Sequence, residues 1–160
     1  MTGAISKKAV LEALRARVMA DLDAAIASQR DAQEGATHEE ARPENDKDTR
    51  AIEASYMARG MAQRVADLHE GASLLANLVA RRFGDDDAIA ISALVTAENE
   101  AGEPSIYFVA PAGGGIKLRL DGAEISVITP SSPLGQALIG RRVDDDIAIR
   151  GKVLTIIDVR

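Results

Sequence analysis

Residues 7–34 read KKAVLEALRARVMADLDAAIASQRDAQE and contain neither proline nor glycine. Apolar side chains recur in this stretch at steps of three and four residues, at Leu11, Leu14, Val18, Leu22 and Ala25. That spacing places them on one narrow seam of a helix, as in a coiled coil. At 1.5 Å per residue the helix would be about 42 Å long. The stretch therefore predicts a long helix that needs a partner along one seam.

A second long helix follows after a break. Gly35 is expected to start the break, and Pro43 confirms it because proline cannot lie deep inside a helix. Asp48 or Thr49 can cap the new helix, which is expected to run to about Arg82. Its predicted seam consists of Ile52, Tyr56, Met61, Val65, Leu68, Ala72, Leu75 and Val79. Two helices with one seam each, joined by a polar segment, predict an antiparallel coiled-coil hairpin.

From Ala88 onward the apolar pattern changes to that of short strands. The expected strands are 89–96, 105–110, 116–120, 124–129, 147–149 and 153–159. Between the fourth and fifth strands, Ser131 or Ser132 can cap a short helix that has Pro133 at its start and Gly140 after its end. These elements predict an α+β protein with an antiparallel sheet packed on one short helix. We expect a hairpin domain over 1–82 and a sheet domain over 83–160.

Composition narrows the possible classes of function. The formal net charge of −6 argues against direct binding to nucleic-acid phosphates, so any contact with nucleic acid is expected to be indirect. The absence of cysteine excludes disulfides and thiolate metal sites. The sequence has no apolar run of about 20 residues that could span a membrane, and its start lacks the apolar core of a signal peptide. We expect a cytoplasmic protein with no membrane partner.

The turn of the hairpin, near 37–49, is rich in carboxylates. Its acidic residues are Glu39, Glu40, Glu44, Asp46 and Asp48, and only Arg42 and Lys47 oppose them. One interpretation is a solvated turn whose acids favourably face the start of the second helix. The other is a set of Mg²⁺ ligands that completes a site half built in another protein, because Mg²⁺ commonly takes only one or two protein carboxylates. The residues alone leave both interpretations open.

Two segments of the chain, and a short third one after them, resemble the bacterial Gre transcript-cleavage and elongation factors. Pro43-Glu44-Asn45 is similar to the Glu-Asn at the tip of that family's hairpin. Residues 125–140, ISVITPSSPLGQALIG, are similar to the family's strand, Ser-Pro and short helix ending in Ala-Leu-hydrophobic-Gly. Residues 143–147, VDDDI, resemble the turn and strand that come next in the family. The matched segments occur in the family's order and cover both halves of the chain.

The resemblance implies a hairpin that enters the secondary channel of RNA polymerase and a C-terminal FKBP-like domain that docks on the enzyme. Glu44, with Glu40 and Asp46 near it, would assist the polymerase in cutting backtracked RNA. Glu44 and Asp46 would hold Mg²⁺ only within the polymerase complex. The further contacts to the polymerase would come from Asn45, Ser132, Pro133 and Leu134. The chain, expected to be a monomer, would have no turnover of its own because the polymerase is the enzyme.

The chain departs from the family within the tip segment, and one of the departures bears on cleavage. Cleavage-competent members have Asp three residues ahead of the Glu, and Ala41 stands there in this chain. A secondary-channel regulator without cleavage activity is therefore an alternative. A second alternative is a hairpin adaptor or chaperone that never meets polymerase. A third, peptidyl-prolyl isomerase, needs an aromatic pocket, and residues 83–160 offer only Phe83, Tyr107 and Phe108.

Overall fold

The computed structural model describes the backbone of residues 4–40 and 47–160, with side chains for 4–35 and 49–160. The chain divides into two compact units. One consists of Met1–Ala16 together with Ser73–Arg160, and the other is Arg17–Ala72. The domain limits expected from the sequence, 1–82 and 83–160, stay a prediction. No helix among the described residues is long and apolar enough to cross a membrane.

Two long helices open the chain, α1 over Lys7–Glu40 and α2 over Lys47–Ala76. Near the start of α1, the Arg15 guanidinium donates hydrogen bonds to the carbonyl oxygens of Leu75 (2.8 Å) and Leu78 (2.9 Å). Further along α1, four residues between Asp21 and Ser28 line an open groove together with Met61 and Arg64 of α2. Because the partners on α2 come earlier in the chain as α1 proceeds, the two helices are antiparallel, as predicted.

The predicted ends of both helices need correction. Gly35 lies inside α1 and does not start a break. A Cβ there would have open space around it, and an exposed helical glycine costs only about 1 kcal/mol relative to alanine. α2 ends at Ala76 and does not reach Arg82. At this end the Leu75 carbonyl accepts hydrogen bonds from the Leu78 N–H (3.3 Å) and from the Arg15 guanidinium, which also binds the Leu78 carbonyl, so a side chain of α1 caps the end of α2.

The seam prediction is confirmed on α1 but only in part on α2. Leu11, Leu14, Val18 and Leu22 are all buried, as is Leu75 of α2. Met61, Val65 and Leu68 are half-buried. Val79, beyond the end of α2, is 81% exposed, so its assignment to the seam is wrong. Ile52 and Tyr56 are also exposed, at 56% and 68%, and lie outside the seam.

The reason for the Ile52 and Tyr56 error is a change of phase along α2. Steps of four and three residues connect Met61, Val65, Leu68, Ala72 and Leu75. Continued backward, the same steps reach Ala58, Ala54 and Ala51. At about 100° per residue, Ile52 and Tyr56 lie roughly opposite this line on the helix surface. The line of the seam therefore continues through alanines, which are exposed like Ile52 and Tyr56, so no large apolar side chain of 51–60 is buried.

The remaining elements form a six-stranded sheet and a short helix. The strands are β1 (Leu94–Asn99), β2 (Pro104–Val109), β3 (Lys117–Leu120), β4 (Ala123–Ile128), β5 (Asp146–Ile149) and β6 (Lys152–Val159), and the helix is α3 (Pro133–Leu138). The strand order is β3-β4-β2-β1-β6-β5. Two long helices followed by a sheet with one short helix confirm the α+β class.

Two details of the sheet differ from the prediction. The pair β2–β4 is parallel, with Ile106 opposite Ile125, whereas the other four pairs of this sheet are antiparallel. In this sheet the neighbour of β2 is β4 and not β3, the next strand in the chain. β4 is antiparallel to β3 and parallel to β2. β1 starts at Leu94 and not at Ile89, because Ser92 has a φ of 75° that interrupts extended backbone.

The core of the sheet lies between one of its faces and α3. Val95, Val109 and Ile156 from three neighbouring strands are buried there with Leu138 of α3. Phe108 and Val127, adjacent across the parallel pair, are buried as well. The short helix is therefore fixed to the sheet by its own apolar side chain, and this positions the Thr129–Pro133 loop.

Candidate functional site

The predicted hairpin tip lies outside the residues whose side chains are described. Glu40 is the last residue of α1, and the structure describes only its backbone. Glu44, Asn45 and Asp46 lie outside the described residues altogether. Among the described residues, no group of three or more His, Asp and Glu side chains could hold a metal ion. The catalytic and metal-binding roles of the tip residues therefore stay predictions.

The predicted contact residues at the start of α3 form a tight capping structure. The Ser132 hydroxyl accepts a hydrogen bond from the Gly135 N–H (3.0 Å) and donates one to the Thr129 carbonyl (2.8 Å). Pro133 follows in the first turn, where a missing N–H costs nothing. Both roles of the Ser132 side chain are thus structural, and they are the roles that helix initiation requires.

Gly135 explains why this loop is so compact. A Cβ at that position would lie 1.9 Å from the Thr129 carbonyl oxygen, so only glycine fits. Leu134 is half-buried and packs against the core, whereas Pro133 and Gln136 are exposed. Of the three predicted contact residues in this loop, Pro133 presents the most surface. The partner-binding roles of Ser132, Pro133 and Leu134 stay predictions.

A junction centred on Lys7 was missed by the sequence analysis. The Lys7 ammonium donates hydrogen bonds to the main-chain oxygens of Arg81 and Arg160 (3.0 Å for the latter). It also lies 4.6 Å from the centre of the Phe83 ring, and the Arg81 guanidinium lies 4.8 Å from the same centre. Burial, followed by the nearby charge of Arg81, lowers the pKa of Lys7 to about 8. This lysine joins the start of α1 to two distant segments.

Ser92 holds the other side of the same junction. Its hydroxyl accepts a hydrogen bond from the Arg81 N–H (3.0 Å), and its own N–H donates to the Val109 carbonyl (2.8 Å). Ser92 is buried and has a positive φ, which is uncommon for a residue other than glycine. Both main-chain polar groups of Arg81 are therefore bound, one by Ser92 and one by Lys7. These contacts join residues 11 to 74 positions apart, outside any repeating pattern of the sequence, so no local pattern predicts them.

α2 also carries an exposed patch. Ala51, Ile52, Ser55, Tyr56 and Arg59 line a shallow open groove, which we call the outer patch. Ile52 and Tyr56 are the large apolar residues that the phase of α2 turns away from the seam. Arg59, three residues after Tyr56, lies on the same side of the helix. The outer patch combines two exposed apolar side chains with one cation.

The aromatic residues considered for isomerase activity are engaged elsewhere. Phe108 is fully buried, and Tyr107 and Phe83 pack against the core of the sheet. The Phe83 ring is additionally approached by the cations of Lys7 and Arg81. These three aromatic rings therefore do not come together as the lining of one open pocket.

Comparisons with known proteins give similarity at the level of solved structures. No protein-family model and no curated protein matches the chain. A structure of the transcription factor Gfh1 is 20% identical, with 92% of this chain and 93% of that chain covered and a TM-score of 0.38. The GreA factor homolog 1 (Gfh1) of Thermus thermophilus is 22% identical over 91% and 94%, and Gfh1 of Thermus aquaticus is 22% identical over 92% and 94%; both have TM-scores of 0.39. Because these TM-scores are below 0.5, we rest the proposals below on the residues of this chain.

Proposed function

We propose that this protein is a Gre-like transcription factor whose hairpin enters the secondary channel of bacterial RNA polymerase and modulates elongation. The observation that carries the proposal is the combination of two features in one chain. One is an antiparallel pair of helices of 34 and 30 residues, interrupted by an acid-rich segment. The other is the Gre-like motif of residues 125–140, which forms β4 and the capped helix α3.

The hairpin is long and acid-rich, and both properties support the proposal. A helix of 34 residues is about 51 Å long, and its partner is nearly as long. Over Arg17–Ala72, acidic residues outnumber basic ones. An acid-rich rod favours a basic surface or a metal ion as the group that it contacts. These properties suit insertion into a partner protein better than binding to a phosphate backbone.

The Gre-like motif has a compact structural basis that supports a docking role. Ser132 and Gly135 fix the loop between β4 and α3, and this leaves Pro133 exposed at its surface. A rigid loop loses little conformational entropy when it binds. We infer that this loop contacts the polymerase through Pro133 and Leu134, while Ser132 maintains its shape.

At the tip, the proposal assigns Glu44 and Asp46 to Mg²⁺ and Glu40 and Asn45 to positions beside them. Carboxylate oxygens are the hard donors that Mg²⁺ prefers, so the donor set fits this ion. Two carboxylates do not complete its coordination shell, and the polymerase would supply the rest. When bound, such an ion would activate water for attack on a phosphodiester. The protein itself would carry out no turnover.

A second candidate is a secondary-channel regulator that does not stimulate cleavage. Ala41 favours it, because the carboxylate that cleavage-competent relatives have at this position is absent. In that case the hairpin would act by occupying the channel. Glu44 and Asp46 would then contribute to binding through charge and not through a metal ion.

The test uses a stalled, backtracked elongation complex to which the protein is added. We expect the unchanged protein to alter the transcript, either by shortening it or by changing the rate of restart. Glu44→Ala and Asp46→Ala are expected to abolish shortening if Mg²⁺ is held at the tip. Asp23→Ala, an exposed acid on α1, is the matched control and should have no effect.

Three outcomes separate the candidates. Transcript shortening that is lost in both tip variants supports cleavage assistance. A change in restart rate without shortening supports the regulator. Failure to capture polymerase subunits from cell extract, together with no effect on the transcript, would reject the proposed function in favour of an adaptor or chaperone.

A further inference from the structure

The junction at the start of α1 holds the Lys7 amine in an unusual setting. Lys7 is half-buried, and its hydrogen bonds go to the main-chain oxygens of Arg81 and Arg160. No Asp or Glu of the described residues forms an ion pair with it. A second cation, the Arg81 guanidinium, lies against the same Phe83 ring. A charge that leaves water is ordinarily paired with an opposite one, and here it meets a like charge.

The neutral amine suits this setting better than the ammonium. Neutral Nζ has two N–H groups and one lone pair, so its two donors match the two main-chain oxygens and the lone pair remains unused. Burial, followed by the charge of Arg81, lowers the pKa of Lys7 to about 8. At pH 7.5 about a quarter of the molecules then carry the neutral amine, against about a thousandth for a lysine of ordinary pKa. Lys7 therefore offers a nucleophile near neutral pH.

The charges around Lys7 determine which reagent fits. A half-buried amine beside an aromatic ring favours a small, uncharged electrophile. The Arg81 side chain is 58% exposed, and within the described part of the chain its ion pair is a long one, 3.8 Å to Asp87. The Arg160 guanidinium, in contrast, is already paired with Asp158 at 2.7 Å. A product that carries a new carboxylate would therefore find its partner in Arg81.

We propose that Lys7 is a carbon dioxide site, at which the ε-amine forms a carbamate that pairs with the Arg81 guanidinium. This modification is separate from the proposed function and does not depend on it. Carbon dioxide is small and uncharged, and its reaction with an amine creates the carboxylate that the junction lacks. Two neighbouring cations are thereby converted into a pair of opposite charges.

The reaction balances without any other reagent. The lone pair of neutral Nζ attacks the carbon of carbon dioxide, an N–C bond forms, and one C–O π pair moves to oxygen. One proton passes from the nitrogen to water. The carbamate nitrogen keeps one N–H, which suffices for one of the two main-chain bonds. The other bond is exchanged for the ion pair with Arg81, and loss of carbon dioxide restores the amine.

The experiment traps the carbamate on the full-length folded chain. The protein is equilibrated with ¹³C-labelled bicarbonate and carbon dioxide at pH 7.5 and treated with triethyloxonium, which converts a carbamate into a stable ethyl ester. Cleavage after Glu12 gives a peptide of residues 1–12 that contains both Lys7 and Lys8, and mass spectrometry assigns the ¹³C adduct. Lys8, which is exposed, is the internal control. We expect at least about tenfold more adduct on Lys7 than on Lys8, because more of its amine is neutral.

Two comparisons show whether the folded junction causes this preference. In urea Lys7 and Lys8 should be labelled equally, because the burial of Lys7 is lost. Arg81→Gln should lower the Lys7 adduct about tenfold through loss of the ion pair. Glutamine retains the main-chain groups that bind Ser92 and Lys7, and circular dichroism verifies the fold. Arg82→Gln is the matched control, since Arg82 is the exposed next residue, and it should leave the adduct unchanged.

The outcomes either support or overturn the proposal. Preferential labelling of Lys7 that is lost in urea and reduced in Arg81→Gln supports it. Equal labelling of both lysines in the folded chain, or a preference for Lys8, overturns it. A Lys7 adduct that Arg81→Gln leaves unchanged also overturns it, because the ion pair is then not part of the site. Polymerase takes no part in this assay, so the proposed function stands or fails separately.

Discussion

Gly135, the third residue of α3, is the position where one added methyl group should do the most damage. In Gly135→Ala the new Cβ would lie 1.9 Å from the Thr129 carbonyl oxygen and 3.0 Å from the Ser132 hydroxyl. The first distance requires the backbone to move by about 1 Å or more, since such contacts rarely fall below about 3 Å. That shift would break the Ser132 cap, worth about 1 kcal/mol, and strain the packing of Leu138 by a further 1–3 kcal/mol, roughly.

The expected loss is therefore about 3 kcal/mol in the free energy of unfolding of the unit that contains the sheet. For a protein of this size, such a loss lowers the melting temperature by roughly 6–12 °C. Differential scanning calorimetry of the full chain measures it. Gly60→Ala is the matched control, because a Cβ at Gly60 meets no atom within 4 Å and alanine should stabilise α2 by about 1 kcal/mol. Equal melting curves for Gly135→Ala and the unchanged protein would refute the packing described for α3.

Three further predictions concern stability. Burial lowers the pKa of Lys7 from its ordinary value of 10.5 to about 8 in the folded protein. Protonated Lys7 therefore opposes folding below pH 8, and stability should rise between pH 8 and 10.5. Lys7→Met should remove this rise, which is measured as the difference between the free energies of unfolding in urea at about pH 7 and at about pH 10. An equal difference in the variant and the unchanged protein would contradict the prediction. Arg15→Met should cost about 2 kcal/mol, because two charge-assisted hydrogen bonds to Leu75 and Leu78 are lost; thermal unfolding followed by circular dichroism measures it. Ser132→Ala should cost about 1 kcal/mol in calorimetry, and no loss would show that the cap is dispensable.

The parts of the fold that the sequence predicts are those with a local cause. Leu11, Leu14, Val18 and Leu22 follow the helical period over several turns, and burial of all four confirms the seam. The Ser132-Pro133 start of α3 is equally local, because a cap needs only the residues next to it. In both cases the residues that determine the element are its own neighbours in the chain.

The parts that the sequence does not predict depend on contacts between distant residues or on which side of a helix an apolar residue occupies. The parallel pairing of β2 with β4 is decided by which strand of a hairpin is added to the sheet, and turn signals carry no information on that choice. The Lys7 junction joins residues separated by more than 70 positions. Ile52 and Tyr56 are spaced as seam residues of a helix would be. Only the line of residues from Met61 to Leu75 shows that they lie on the side of α2 opposite the seam.

The chemistry of the predicted hairpin tip is easier to derive from the sequence than the packing of the helices next to it. The large seam residues end at Leu22 on α1 and at Met61 on α2, and beyond them the seam of α2 offers Ala58, Ala54 and Ala51. All described residues over 49–60 are exposed. A stretch with so little buried apolar surface contributes little local stability. The carboxylates of Glu44 and Asp46 are recognised from the sequence by residue type, whereas a metal-binding geometry would depend on packing that the residues of 49–60 do not provide by themselves.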